Sequence, residues 1–281
     1  MNIIIADKAG FCFGVKRAIR MAYEELEKAN GRPVYTLGSL VHNPQVIEKL
    51  EDDKIKSIEE LDDYPVGHLL IRTHGVSPST RKRAEELGYK IVDATCPLVK
   101  KIHTIVFKLK EWGYKILVIG HSSHPEVEGI VGEVEKDCKV IDSVEDAKSL
   151  ENYTKLGVVV QTTALWSKFR EIAGHLPEKA QECRIFNTIC HATIERQDTA
   201  LKLAKETGVM IIVGGKKSSN TRRLLEICRS VNPNSHQVEY TEELQPEWFH
   251  NVEEVGVTAG ASTPDHIIRK IVENIKNIGT I

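Results

Sequence analysis

The sequence lacks any apolar run long enough to cross a membrane. Uninterrupted apolar stretches such as Val209–Val213 are far shorter than the roughly 20 residues that a membrane helix needs. The chain also lacks an excess of either charge: 38 basic residues against 40 acidic ones give a net charge of −2, with no general attraction to nucleic acid or anionic lipid. The first residues lack the basic and long apolar regions of a secretion signal. We therefore expect a cytoplasmic protein that binds neither membranes nor nucleic acid.

Cysteine is scarce, and no two cysteines form a C-x-x-C pair. Six cysteines in 281 residues are too few for a disulfide-built scaffold, and their wide spacing excludes zinc ribbons and thioredoxin-type motifs. In a reducing compartment such thiols are core residues, nucleophiles or metal ligands. Their positions along the chain therefore decide between these roles.

Short β-rich runs are each followed by a small or polar loop and then by an amphipathic helical stretch, which is typical of α/β units with parallel strands. We count nine such units. Three of them carry a cysteine in the loop (Cys12, Cys96 and Cys190, spaced 84 and 94 residues apart), followed by predicted helices over 15–29, 97–111 and 193–206. This recurrence indicates an internal triplication.

The triplication predicts three α/β domains over residues 1–95, 96–188 and 189–281, with the N-terminal strand, inside residues 1–12, free to pack with the third. In each repeat, the second and third strands also end in polar loops. These loops carry, in chain order, His42 and His74, then His124 with Thr162 and Thr163, then Ser218, Ser219 and Asn220 with Ser262. Because ligands bind beyond the carboxyl ends of parallel strands, we expect these side chains to line one pocket. The alternative is a single doubly wound sheet with cysteines scattered through its core.

Three matched thiolates form a ligand set with one open coordination position. Such soft ligands select zinc, Cu(I) or an iron–sulfur cluster, and spacing alone does not separate these possibilities. The remaining cysteines (Cys138, Cys183 and Cys228) have no counterparts in the other repeats. We assign those three to packing.

Two loops carry further chemistry. Glu126, two residues after His124, lies at the ligand end of an apolar strand and is a candidate proton donor if burial raises its pKa. The same H-x-x-H-x-E string also fits a zinc hydrolase or a plain surface loop. The string Gly214-Gly215-Lys216-Lys217-Ser218-Ser219-Asn220 follows a strand and opens a helix, which is an anion-binding arrangement although not a P-loop. Ser262 stands in a second loop of this kind, between a strand and a predicted helix.

Together these motifs resemble the 4-hydroxy-3-methylbut-2-enyl diphosphate reductases of the non-mevalonate isoprenoid pathway. The resemblance covers nearly the whole chain, with its motifs in order. It is carried by Gly10-Phe11-Cys12-Phe13-Gly14, Leu40-Val41-His42-Asn43, Thr73-His74-Gly75, Ala94-Thr95-Cys96-Pro97, Ser123-His124-Pro125-Glu126, Gln161-Thr162-Thr163, Thr188-Ile189-Cys190, Ser218-Ser219-Asn220 and Gly260-Ala261-Ser262.

The resemblance implies a trefoil of three α/β domains around an oxygen-sensitive [4Fe–4S] cluster held by Cys12, Cys96 and Cys190, with one iron open to substrate. It implies a diphosphate pocket, which we assign to His42, His74, His124, Thr162, Thr163, Ser218, Ser219, Asn220 and Ser262. Thr162 and Glu126 would position and supply protons, and a reduced ferredoxin or flavodoxin would supply electrons. The products would be isopentenyl and dimethylallyl diphosphate.

Two alternatives from other classes stay open at this stage. A zinc-dependent hydrolase of a phosphorylated metabolite would use the Cys and His side chains as ligands and would be inert in redox chemistry. A non-catalytic iron–sulfur sensor would hold a cluster without any need for the anion pocket.

Overall fold

The computed structural model describes residues 1–135 and 137–278, in which parallel strands alternate with helices. The strands are β1 (Asn2–Ile5), β2 (Val34–Leu37), β3 (Ile55–Ile58), β4 (His68–Ile71), β5 (Lys90–Asp93), β6 (Lys115–Ile119), β7 (Cys138–Ile141), β8 (Tyr153–Val160), β9 (Ala180–Ile185), β10 (Val209–Val213), β11 (Ser235–Val238) and β12 (Glu254–Ala259). The helices are α1 (Phe13–Lys28), α2 (Pro44–Asp52), α3 (Pro78–Glu86), α4 (Pro97–Glu111), α5 (Pro125–Glu133), α6 (Val144–Ser149), α7 (Trp166–Gly174), α8 (His191–Glu206), α9 (Ser219–Arg229) and α10 (Asp265–Ile278). None of the helices in this described part of the chain is both long and apolar enough to cross a bilayer.

The strands form three four-stranded sheets with one shared topology. The orders are β3-β2-β4-β5 in the first sheet, β7-β6-β8-β9 in the second and β11-β10-β12-β1 in the third, with every pairing parallel. In the third sheet, β1 occupies the edge position that β5 and β9 occupy in the other two, although it comes first in the chain. The α/β class with a threefold internal repeat is confirmed.

The nine predicted strand–loop–helix units are all present, and the described residues contain three further strands, which makes twelve. The three that the pattern missed are β3, β7 and β11, each four residues long and at the outer edge of its sheet. An edge strand has only one strand neighbour, and the polar Lys-Ser and His-Gln pairs inside β3 and β11 break the apolar run that marks a central strand.

The chain divides into two compact units. Unit one comprises Met1–Lys16, Val41–Lys49 and His191–Ile281 and contains the third sheet, whereas unit two comprises Arg17–Leu40 and Leu50–Cys190 and contains the first and second sheets. The predicted boundaries at residues 95 and 188 stay a prediction, and the last three residues of the predicted third domain (279–281) lie outside the described residues. The placement of β1 beside β12 is an observation.

The core of unit one shows why its central strands are almost wholly apolar. Along β10, the side chains at 209, 211 and 213 pack with α10, while those at 210 and 212 pack with α8 and α9. All five residues of β10 are fully buried. A parallel strand covered on both faces buries every side chain, so helices hold both faces of the sheet and the strand ends point to the loops.

A close approach of two backbones at the start of the first sheet gives a test of this packing. The His68 amide donates a hydrogen bond to the carbonyl of Pro33 (2.9 Å), and a Cβ added to Gly67 would overlap that same carbonyl oxygen. We expect Gly67→Ala to lower the free energy of unfolding by roughly 1–3 kcal/mol. The added methyl group would overlap a backbone atom, which cannot move aside as easily as the end of a flexible side chain can. The matched control is Gly174→Ala in α7, where nothing lies within 4 Å of the added carbon. Urea unfolding of both variants checks this, and equal effects would contradict it.

Candidate functional site

Each predicted cysteine lies in a loop that follows the edge strand of its sheet and is tied to the neighbouring strand by its own amide. Cys12 N–H donates to the carbonyl of Ala261 (3.1 Å), Cys96 N–H to Thr73 (3.0 Å) and Cys190 N–H to Thr162 (3.1 Å). The acceptor stands two residues beyond the end of β12, β4 or β8 in each case. The same hydrogen bond therefore fixes all three cysteines relative to a strand end.

The three cysteines also share a place at the start of a helix. Cys96 is the N-cap of α4, and Cys12 and Cys190 directly precede α1 and α8. All three side chains are half-buried. Cys12 belongs to unit one, and the other two belong to unit two.

The other three cysteines lie in different surroundings. Burial raises the pKa of Cys228, in α9, to about 12, and its Sγ lies 3.8 Å from the carbonyl oxygen of Ala200 in α8. Burial also raises the pKa of Cys138, in β7, and of Cys183, in β9. Thiols held in the protonated form are poor metal ligands, which supports their assignment to packing.

A buried carboxyl group lies in unit two at the ends of β6 and β8. Glu126 is 1% exposed, and its two oxygens accept hydrogen bonds from the amide and the hydroxyl of Thr162, both at 2.6 Å. Burial raises the pKa of Glu126, and the two Thr162 hydrogen bonds partly oppose this by favouring the carboxylate. The carboxyl group therefore retains a proton to higher pH than an exposed glutamate does.

Thr162 joins this carboxyl group to a cysteine loop. Its hydroxyl and amide hold Glu126, while its carbonyl oxygen accepts the hydrogen bond from the Cys190 amide. The sequence motif placed these three residues on separate loops. The fold brings them into one continuous chain of hydrogen bonds.

Two predicted histidines meet beside this carboxyl group. The rings of His74 and His124 pack edge to face, with centroids 5.3 Å apart. Nδ1 of His124 accepts a hydrogen bond from the amide of Glu126 (3.1 Å), so His124 serves as the side-chain cap of α5. With Nδ1 accepting, a neutral His124 ring carries its hydrogen on Nε2, which makes Nε2 a donor to an anion or a substrate oxygen.

Gln161 holds Thr163 in place. The sequence motif Gln161-Thr162-Thr163 contains this residue, but the motif alone does not reveal its role. The side-chain amide of the buried Gln161 donates to Thr163 Oγ1 (2.8 Å), and its Oε1 accepts the amide of His121 (3.1 Å). Gln161 thus ties together the loops that follow β6 and β8. Only the fold reveals that link, because 40 residues separate Gln161 from His121.

The N-terminus of α9 in unit one forms the predicted anion-binding arrangement. Ser218 caps the helix by accepting the amide of Thr221 (3.3 Å), and Ser218, Ser219 and Asn220 are each at least nine-tenths buried. The Nδ2 atom of Asn220 is buried without a hydrogen-bond acceptor among the described residues. A buried donor of this kind is costly unless a ligand accepts its hydrogen bond.

Thr221 is a polar residue beside this group that sequence reasoning missed. It is fully buried, and its Oγ1 also has no hydrogen-bond partner within the described part of the chain. An added Cβ at Gly260 would overlap this hydroxyl, so the two strand-end loops meet there. Its position, directly after Ser218-Ser219-Asn220, was the available signal.

His42 and Ser262 also meet within unit one. The hydroxyl of Ser262 donates to the backbone carbonyl of His42 (3.1 Å), and a Cβ added at Gly215 would overlap the same carbonyl oxygen. Glycine at 215 therefore permits three loops, carrying His42, Ser218 and Ser262, to approach one another closely. These loops place hydroxyl and amide groups and a helix N-terminus together, as recognition of a phosphate group requires.

Comparison with known proteins identifies the family. The sequence matches the profile described as LytB protein over residues 3–276. The chain belongs to the LytB protein family. It is 43% identical over 278 residues to the 4-hydroxy-3-methylbut-2-enyl diphosphate reductase of Geobacter metallireducens, covering 99% of this chain and 98% of that one. The Aquifex aeolicus reductase of the same name is 42% identical over 282 residues, covering 99% and 97%.

Solved structures of reductases align with this LytB chain over nearly its full length. One, described as (E)-4-hydroxy-3-methyl-but-2-enyl diphosphate reductase, the terminal enzyme of the non-mevalonate pathway, is 41% identical with a TM-score of 0.71, covering 98% of this chain and 99% of that one. The E-1-hydroxy-2-methyl-but-2-enyl-4-diphosphate reductase of Plasmodium falciparum is 32% identical with a TM-score of 0.92, covering 97% and 87%. The fold expected from the sequence is therefore confirmed.

The unpartnered amide of Asn220 predicts a loss of anion binding without a loss of stability. We expect Asn220→Ala to weaken binding of inorganic pyrophosphate roughly tenfold to hundredfold, because one hydrogen bond to a charged group is lost. The apo protein should unfold at nearly the wild-type urea concentration, since no protein hydrogen bond to Nδ2 is removed.

The matched control is Asn232→Ala, in the loop between α9 and β11. Asn232 Nδ2 donates to the carbonyls of Ala204 (3.2 Å) and Thr207 (2.8 Å), so this variant should unfold more easily and still bind pyrophosphate. Calorimetric titration and urea unfolding of both variants make the comparison. If both variants lost pyrophosphate binding equally, Asn220 would not be part of the anion site.

The raised pKa of Glu126 predicts a pH-dependent stability difference. Because the folded pKa lies above the unfolded value of about 4.3, the carboxyl group favours the folded state below that value, and this contribution is lost as pH rises through the folded pKa. Between these two pKa values, the free energy of unfolding of Glu126→Gln should therefore rise relative to that of wild type by about 1.4 kcal/mol for each unit by which pH increases. Urea unfolding from pH 4 to pH 8 measures the gap. Parallel curves would show that Glu126 titrates normally.

Proposed function

We propose that this LytB chain reductively removes the allylic hydroxyl of (E)-4-hydroxy-3-methylbut-2-enyl diphosphate, giving isopentenyl and dimethylallyl diphosphate in isoprenoid biosynthesis. The observation that carries the proposal is the Thr162 junction, which binds a buried carboxyl group on one side and the Cys190 loop on the other. A proton source tied to a cysteine loop suits a reduction in which a hydroxyl group leaves as water. The full-length similarity to reductases of this name supports the same substrate.

Within this proposal, Cys12, Cys96 and Cys190 hold a [4Fe–4S] cluster. The fit of the chain to such a group rests on three half-buried thiols at equivalent helix N-termini, with no fourth equivalent cysteine among the described residues. When bound, the cluster supplies an iron with an open coordination position for the substrate hydroxyl and passes electrons to the allyl group.

The residues proposed to bind the diphosphate lie in the loops at strand ends. One group is the α9 N-terminus with Ser218, Ser219 and Asn220, together with His42 and Ser262. The other is Thr163, His74 and His124, of which His124 caps α5 through Nδ1. Hydroxyl, amide and imidazole donors together can hold an anion without any excess of basic residues, which agrees with the near-neutral charge of the chain.

Glu126 and Thr162 are proposed to handle the proton. Removing a hydroxyl as water and reducing the carbon that carried it takes two electrons and two protons. Because burial raises its pKa, Glu126 retains a proton to higher pH than an exposed glutamate does and can deliver it in a site shielded from solvent. The Thr162 hydroxyl, 2.6 Å from a carboxyl oxygen of Glu126, orients that group and bonds to the substrate hydroxyl.

The electrons come from outside the chain. A reduced ferredoxin or flavodoxin, acting one electron at a time, is the proposed donor, and a cytoplasmic location is part of the same proposal. A zinc hydrolase would need neither an electron donor nor acid-labile sulfide. An iron–sulfur sensor would form no product. Metal content and product analysis together therefore distinguish the reductase, the zinc hydrolase and the sensor.

The test compares wild type with Cys96→Ser and Cys138→Ser, all purified without oxygen. We expect about four irons and four sulfides per chain in wild type and in Cys138→Ser, but a large loss in Cys96→Ser, because Cys96 is a proposed cluster ligand and Cys138 is not. With substrate and a reduced viologen, the first two proteins should form both products and Cys96→Ser should form less than about a hundredth as much. Zinc without sulfide, or equal iron loss in the two variants, would overturn the assignment.

A further inference from the structure

The outer face of α4 carries an unusual number of exposed hydrophobic side chains. Leu98 is 45% exposed and Trp112, at the C-cap, 50%, and the helical repeat sets these two about 40° apart around the axis, whereas Phe107, 51% exposed, lies on the other side of the helix. Among the described residues, no other helix with its cap carries more than one large hydrophobic side chain of comparable exposure. Scattered single hydrophobic residues need no explanation, but several on one face indicate a binding surface.

The helix that carries these side chains is basic. Helix α4 carries four lysines (Lys100, Lys101, Lys108 and Lys110) and one acidic residue, Glu111, in a chain whose net charge is −2. Lys100 pairs with Asp93 (2.7 Å) and Lys110 with Glu135 (3.4 Å). Lys101 and Lys108 have no carboxylate within 4 Å in the described part of the chain. Their charge is therefore directed to solvent.

The hydrophobic and basic residues form one stripe. Leu98, Lys101, Lys108 and Trp112 follow the helical spacing of three and four residues, with the half-buried Ile105 completing the row between the lysines. The neighbouring face, which includes Ile102, Val106 and Leu109, is buried in the core of the second sheet, and Ile105 packs against that core. The other four residues of the stripe, Leu98, Lys101, Lys108 and Trp112, are exposed.

The stripe begins at a proposed cluster ligand. Cys96 caps α4, so with a rise of about 1.5 Å per residue Leu98 lies roughly 3 Å along the axis from it and Lys101 about 7.5 Å. Arg17, whose guanidinium donates to the carbonyl of Thr95 (3.2 Å), adds a further positive charge beside this end. An electron carrier bound on the stripe would therefore approach the cluster ligand closely.

We propose that the outer face of α4, with Leu98, Lys101, Lys108 and Trp112 at its centre, is the docking surface for an acidic one-electron carrier protein. The inference rests on the proposed function, because the reduction consumes two electrons that neither the substrate nor the chain contains. The carrier, a small iron–sulfur or flavin protein with a negatively charged rim, gives up one electron in each of two encounters and leaves oxidised. The electrons end in the new C–H bond, and the hydroxyl leaves as water after protonation.

Charge complementarity is what selects this partner. The overall charge of the chain repels an acidic protein weakly, so a local basic stripe has to orient the encounter and raise its rate. The exposed hydrophobic residues then supply a small contact that dissociates readily, as electron transfer at each turnover requires. Such binding weakens as salt screens the lysines.

The test reverses the charge of the two unpaired lysines. We expect Lys101→Glu with Lys108→Glu to lower kcat/KM for a reduced plant-type [2Fe–2S] ferredoxin roughly tenfold or more, while turnover with reduced methyl viologen stays within about twofold. The neutral pair Lys101→Gln with Lys108→Gln should fall between wild type and the reversed pair. Added sodium chloride should slow the ferredoxin reaction of wild type far more than that of the reversed pair.

The control reverses two exposed lysines on other helices, Lys202 of α8 and Lys270 of α10, which changes the total charge equally. This control should keep wild-type kinetics with both donors, and iron content should match in all variants. An equal ferredoxin defect in the control, or none in the α4 variants, would overturn the docking surface. Absence of viologen-driven turnover in wild type would instead refute the proposed function.

Discussion

The arrangement of this protein depends on one repeated backbone hydrogen bond, from the amide of a cysteine to a carbonyl two residues past the end of the neighbouring strand. A single such bond contributes only about 1 kcal/mol, but it sets where the cysteine loop leaves the sheet. Because the three sheets have the same strand order, the bond recurs in the same place three times. Three thiols that are far apart in sequence thereby acquire equivalent surroundings, each at the end of a parallel edge strand and the start of a helix.

The second constraint is the cost of burying Glu126. A carboxyl group that is 1% exposed would be strongly destabilising as an unpaired anion, and the two hydrogen bonds from Thr162 make its position tolerable in either protonation state. The carbonyl of Thr162 also anchors the Cys190 loop, so one residue links the buried carboxyl group to that loop. The polar residues of unit one follow a different rule, because Asn220 and Thr221 retain buried polar atoms whose partners must come from outside the described protein atoms.

Much of this could be predicted from the sequence, for identifiable physical reasons. The helix over 97–111 was predicted with its observed bounds, because Pro97 fixes its first turn and apolar residues recur at helical spacing through Leu109. The predicted starts at 15 and 193 were two residues late, since Phe13 and His191 are exposed and break the pattern. The short edge strands β3, β7 and β11 gave too little apolar signal to be seen. The role of Gln161 depends on a contact across 40 residues, and no local pattern carries such information.

The position of β1 bears on how the chain reaches its native state during synthesis. The strands of the first two sheets are complete once about residue 185 has been made, so both sheets can form from neighbouring sequence as the chain emerges. β1 is made first, yet its register partner for Asn2 is Glu254, so it has to wait for almost the entire chain. During that interval an apolar strand has no partner and offers its edge to other nascent chains. The Cys12 loop, whose amide bonds to Ala261 just after β12, is therefore the last of the three cysteine loops to be fixed.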